Sequence, residues 1–148
     1  MARIVWDTSA LARRYVTGEP GSSRVVAACD SPDYSLLVSD LLPVEIASTL
    51  ALKVRTRDIT LAERDLSWQE FMAHLDSEYE IIRLSDPIFE RAEYLLFRHT
   101  LRASDAIHLA AALAVSEAAP RLDLEFWTAD RQQAQAGRSE GLAVQLIG

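Results

Sequence analysis

Cysteine and lysine are almost absent from this sequence, with Cys29 and Lys53 the sole instance of each among 148 residues. One cysteine excludes an internal disulfide framework and a thiolate zinc cluster. Long apolar runs are missing as well: the most hydrophobic stretch, Ala106 to Val115, is about half the length that crosses a bilayer and is interrupted by His108. No membrane span is expected. The N-terminal MARIVWDTSA has no extended apolar segment leading to a small-residue cleavage site, so the expected compartment is the cytoplasm. What is present is a globular balance, 49% hydrophobic and 25% charged residues. The length suits a single domain over residues 1–148 with a core of its own.

Positive charge is also in deficit. The formal net charge is −7, which argues against a nucleic-acid partner because phosphate binding ordinarily draws on a basic surface. Two features weaken that objection. Four of the 22 acids can be assigned to a metal site, and 14 of the 15 basic groups are arginine, whose fork of donors suits phosphate. Arg13 and Arg14 are adjacent, and Lys53, Arg55 and Arg57 cluster. A GC-rich coding sequence explains the arginine bias equally well, so charge leaves the partner open.

Brief apolar runs alternate with helical patterns along the chain. Arg3 to Trp6 reads as a strand ending at Asp7, and Ser9 to Val16 as a helix broken by Thr17, Gly18, Glu19, Pro20 and Gly21. Ser23 to Cys29 is a second helix and Tyr34 to Val38 a second strand. Ser39 and Asp40 can cap a third helix with Pro43 in its first turn, running to Arg57. Thr60 and Glu63 form a capping box, after which Leu61, Trp68, Met72 and Leu75 recur on one face up to Glu78. Residues 41–78 are thus a helical hairpin. Glu80 to Leu84 reads as a third strand, and Asp86-Pro87 as the start of a helix to His99. Ser104 or Asp105 opens a helix so uniformly apolar that it belongs in the interior. Leu124 to Thr128 and Leu142 to Ile147 are the last strands, with a polar helix between them. This alternation predicts an α/β protein with a parallel sheet covered on both faces, and ligands beyond the carboxyl ends of the strands.

Four acids fall at that edge. Asp7 follows the first strand and Asp130 the fourth, while Glu45 and Asp105 lie in the first turns of two helices. Each has an ordinary reading: Asp7, Asp105 and Asp130 can cap helices, and Glu45 can face solvent at a helix start. Glu45 resists that reading most, being the one ionisable side chain between Leu41 and Leu52. His108, one turn beyond Asp105, reads as a packing residue or as an adjunct to the acids. Like charges about 4 Å apart cost roughly 4 kcal/mol at an effective dielectric of about 20, or about three pKa units. A converging group of this kind needs a cation. All-oxygen ligands favour Mg²⁺ or Mn²⁺, and a hard dication that activates water and shields phosphate supports phosphodiester hydrolysis.

The segments DTSAL, PVEIAS, SDAIHLAAAL and WTAD, in this order and spacing, resemble the PIN-domain family and in particular the VapC toxins of toxin–antitoxin pairs. The resemblance spans essentially the whole chain. It implies a three-layer α/β/α sandwich with about five short parallel strands, and an endoribonuclease that uses Mg²⁺ or Mn²⁺. It also implies a homodimer inhibited by a cognate VapB-type antitoxin. On it, Asp7, Glu45, Asp105 and Asp130 are the catalytic and metal-binding acids, and Ser9 and Thr128 are supporting hydroxyls. The hairpin would form the groove that takes an antitoxin segment. After Asp130 the segment RQQAQ lacks the larger apolar residue that the resemblance calls for. The main alternative, a PIN-like scaffold without turnover that binds RNA or protein, would be marked by a missing acid, and all four are present. An aspartate-nucleophile phosphatase needs a second Asp where Ser9 stands, and a receiver domain needs a late-strand Lys, whereas Lys53 is mid-helix.

Overall fold

The computed structural model describes residues 1–148. Strands β1 (Ala2–Trp6), β2 (Tyr34–Ser39), β3 (Tyr79–Ile82), β4 (Leu124–Thr128) and β5 (Ala143–Leu146) form one parallel sheet in the order β3-β2-β1-β4-β5. Side chains of a strand alternate between faces, and here both faces are covered. Ile4 and Trp6 of β1 enter one core with Leu36, Val38 and Trp127, whereas Val5 enters the other with Leu37 and Phe126.

Helices α1 (Thr8–Leu11), α2 (Ser22–Asp30), α3 (Leu42–Arg55) and α4 (Leu61–Ser77) supply the first core through Leu11, Val25, Ile46, Leu50 and Phe71. Helices α5 (Asp86–Arg98), α6 (Ala103–Ala118) and α7 (Arg131–Ser139) supply the second through Leu95, Leu109, Leu113 and Ala136. The expected three-layer sandwich and its five parallel strands are therefore present, with apolar α6 in the interior. No helix is long and apolar enough to cross a membrane.

Several element boundaries differ from the sequence reading, each for a local reason. The helix expected from Ser9 to Val16 is one α-turn tightened into a 3₁₀ turn at Ala12–Arg14. That tightening carries Tyr15 inward, where its hydroxyl meets Tyr79 and His74. Strand β3 stops at Ile82 instead of Leu84 because its pairing with β2 ends at Ser39, and the Leu84 amide donates to the Asp40 carboxylate. Helix α6 starts at Ala103, ahead of Ser104 and Asp105, so Asp105 stands at the third position and reaches back to the Arg102 amide. On α4 the expected face is only half right. Leu61 and Met72 are exposed, and the fully buried side chain is Phe71, flanked by half-buried Trp68 and Leu75. This helix packs on α3, β3 and the Tyr15 segment, which together cover a narrow stripe.

The sheet order reverses between β1 and β4, the place where parallel sheets open a crevice at their carboxyl ends. The Asp7 amide donates to the Trp127 carbonyl at 2.9 Å, extending the β1–β4 ladder one residue past the strand. Gly21 closes the same side of the molecule. Its φ is +86° and a Cβ there would lie 2.2 Å from Ile147 Cγ2, so both backbone angle and space require glycine.

Candidate active site

Asp7 caps α1 and is buried, at 4% exposure. Its Oδ2 accepts from the Ser9 amide at 3.0 Å and from the Ser9 hydroxyl, and its Oδ1 accepts from Gln133 Nε2 at 3.0 Å. Asp130 caps α7, accepting the Gln133 amide at 2.8 Å, while its own amide donates to Thr128 Oγ1. The Thr128 hydroxyl in turn donates to Gln133 Oε1. Ser9 Oγ accepts the Ala129 amide at 3.0 Å, tying the end of β1 to the end of β4. The ordinary cap readings of Asp7 and Asp130 thus hold, and Ser9 and Gln133 tie the two caps to each other.

Gln133 is the residue that sequence reasoning passed over. Its side chain is fully buried, and Nε2 donates both to Asp7 and to the Asp105 carbonyl, each at 3.0 Å. One amide therefore joins three of the four acid-bearing segments. The available signal was Ala136 and Gly137, small residues three and four positions on, which mark the inward face of an otherwise polar helix.

Glu45 sits in the first turn of α3 and accepts from the Thr8 hydroxyl at 2.9 Å and from His108 Nε2. Since a carboxylate only accepts, His108 Nε2 carries the proton, and Nδ1 lies 3.3 Å from the Ser39 hydroxyl. His108 is buried and is the compensating partner that the sequence around Glu45 lacks. Burial alone would lower its pKa, but the Glu45 hydrogen bond and the charges of Asp7, Glu45 and Asp105 raise it above the ordinary imidazole value. Burial acts to raise the Glu45 pKa, and His108, with Thr8 and Ser104, outweighs it and brings the carboxyl below its usual range.

Asp105 completes the group. Burial and then the charge of Asp7, with a smaller part from Asp130, push its pKa up against the opposing effect of Arg102. Asp105 thus feels the charges of Asp7 and Asp130, while Glu45 is linked to the group through His108. As they stand, no three acidic, histidine or cysteine side chains surround a point with the spacing of metal ligands. The donor set nevertheless suits a hard divalent ion. It is all carboxylate, Asp105 and Asp130 each use a single oxygen in their hydrogen bonds within the chain, and a cation would relieve the repulsion that lifts Asp105.

No protein-family model matches the chain. Two curated relatives from Mycobacterium tuberculosis, ribonuclease VapC45 and ribonuclease VapC49, are each 33% identical over 147 residues, covering 97% of this chain and 95% of their own. Among solved structures, a toxin–antitoxin complex from Klebsiella pneumoniae matches 90% of this chain and 89% of its own with a TM-score of 0.60 at 21% identity. VapBC2 from Rickettsia felis, bound to a promoter DNA fragment, matches the whole of both chains with a TM-score of 0.63 at 12% identity. These two likenesses speak for the shared fold. With a third of its residues identical along almost the full length of both curated relatives, this chain belongs to the VapC ribonuclease family.

Proposed function

We propose that the chain is an endoribonuclease dependent on Mg²⁺ or Mn²⁺, acting as the toxin of a toxin–antitoxin pair, with Asp7, Glu45, Asp105 and Asp130 as its catalytic and metal-holding acids. The observation that supports this reading is geometric: Gln133 donates through its side-chain amide to the Asp7 carboxylate and the Asp105 carbonyl, and through its backbone amide to Asp130, so one residue links three of the four acid-bearing segments. A hard dication held by these acids would supply a more acidic water and neutralise the charge of the scissile phosphate. The chain does the positioning. Gln133 and Ser9 fix both oxygens of Asp7, Thr8 and His108 fix Glu45, and Thr128 anchors Gln133 and the Asp130 amide. Ser9 and Thr128 are the supporting hydroxyls.

RNA as substrate is supported by the naming of both curated relatives as ribonucleases. An antitoxin partner is supported by the complexes among the structural neighbours, and by apolar side chains left uncovered on the hairpin, Val44, Leu52, Leu66 and Met72. The exposed Phe97 and Tyr94 of α5 suit a homodimer contact. Inducing the wild type and Asp7→Asn in cells and mapping RNA ends tests the whole reading. New ends and growth arrest are expected from the wild type alone, with cleavage in vitro stopped by EDTA and restored by Mn²⁺. Cleavage that persists undiminished in EDTA would reject the metal-dependent mechanism.

A further inference from the structure

Beside the acids lies a groove of about 320 Å³ lined by Ser9, Arg13, Glu19, Thr49, Lys53 and Asp130. Glu45, Thr49 and Lys53 are spaced by four along one face of α3, so the groove continues the acid crevice. Eight residues at about 1.5 Å each put Lys53 roughly 12 Å along the helix from Glu45, out of reach of the group being cut. The sole lysine of an acidic chain is thus held next to the site. Arg13 stands opposite, its Nη1 donating to the Ser9 carbonyl at 3.0 Å.

Between the two cations sits Glu19. Its Oε1 accepts from Lys53 Nζ at 2.6 Å and its Oε2 lies 3.5 Å from Arg13 Nη2. The Glu19 hydrogen bond raises the Lys53 pKa above its ordinary value. Glu19 is the one carboxylate that touches both cations, the groove's other acid, Asp130, being engaged as the cap of α7, and Arg13 Nε is buried with no hydrogen-bond partner. A phosphodiester carries the same single negative charge over two free oxygens as this carboxylate. Glu19 is also reachable, on a surface loop with its side chain 35% exposed. We propose that Arg13 and Lys53 form a subsite for an RNA backbone phosphate neighbouring the scissile one, and that the Glu19 carboxylate fills it in the free protein. The subsite rests on the ribonuclease reading and adds to it an internal competitor for substrate.

The test uses the full chain in EDTA with a short fluorescein-labelled oligouridylate, read by anisotropy between about 50 and 200 mM salt. Lys53→Met should weaken binding about fivefold and flatten the log–log salt slope by about 0.7, the loss of one phosphate contact to a single strand. Lys53→Arg should keep both. Glu19→Gln should tighten binding about threefold, with thermal melts confirming that each variant is folded. Wild-type binding too weak to measure, a Lys53→Met variant with the wild-type affinity and slope, or a Glu19→Gln variant that binds less well, overturns the subsite. Failure of the wild type to cut any RNA with Mn²⁺ present overturns the ribonuclease reading instead, so the two failures are separate.

Discussion

Gln133 uses both ends of its side-chain amide inside the site, and its removal would leave the Thr128 hydroxyl, an Asp7 oxygen and the Asp105 carbonyl each short of a partner. Outer groups that orient metal-binding carboxylates are worth about 10–100-fold in activity or metal affinity. Gln133→Ala should therefore lose about that much cleavage and about 1–3 kcal/mol of stability, the cost of unsatisfied buried polar groups. A variant that melts lower yet cleaves at the wild-type rate would confine Gln133 to a structural role. The sequence hid this residue because RQQAQAGRS is polar throughout and reads as a solvent-facing helix. His108 was hidden differently: its position one turn past Asp105 was legible, but its true partner, Glu45, is 63 residues away. The four acids themselves were legible as strand-end and helix-start residues.

At the level of elements, the three central strands were easiest to read, since each is a short, largely apolar run buried on both faces. Helix ends were harder, because they are set by contacts that a local pattern does not contain, as with Tyr15 after α1 and Asp105 at the start of α6. One such contact gives a pH signature. Glu140, at the end of α7, hydrogen-bonds His99 at 2.8 Å and lies 3.4 Å from Arg98, fastening α7 to the end of α5. The His99 hydrogen bond and then Arg98 hold its carboxyl below the ordinary 4.5 despite opposing desolvation. A carboxyl lowered by folding stabilises the native state fully above its unfolded pKa, and that contribution is lost as pH falls through the lowered folded value. Glu140→Gln should accordingly be less stable than the wild type at pH 7 by roughly 1 kcal/mol, with the gap closing below about pH 4. A gap of constant size down to strong acid would assign the loss to packing.

For the molecule as a whole, parallel-strand topology was readable from alternation, and with it the edge where the acids gather; the order of strands and the cross-links between distant segments were not. On the proposed reading, the charges of Asp7 and Asp130 that bear on Asp105 should also make stability respond to cations. Stability should rise with Mn²⁺ or Mg²⁺ by about 2.7 kcal/mol at a hundred times the dissociation constant, and the melting temperature with it. In Asp105→Asn the cation-free protein should melt no lower than the wild type, while the cation-induced rise shrinks. A wild type indifferent to both ions would argue against a resident dication. The same topology has a bearing on biosynthesis. Asp7 leaves the ribosome well ahead of the side-chain amide that holds its Oδ1, which belongs to a residue 126 positions later. At about 5–20 residues per second that interval is roughly 6–25 s. A half-made chain therefore carries Asp7 with one oxygen held by its neighbour Ser9 and the other still waiting for Gln133, so this carboxylate gains its full set of partners only after α7 has been made.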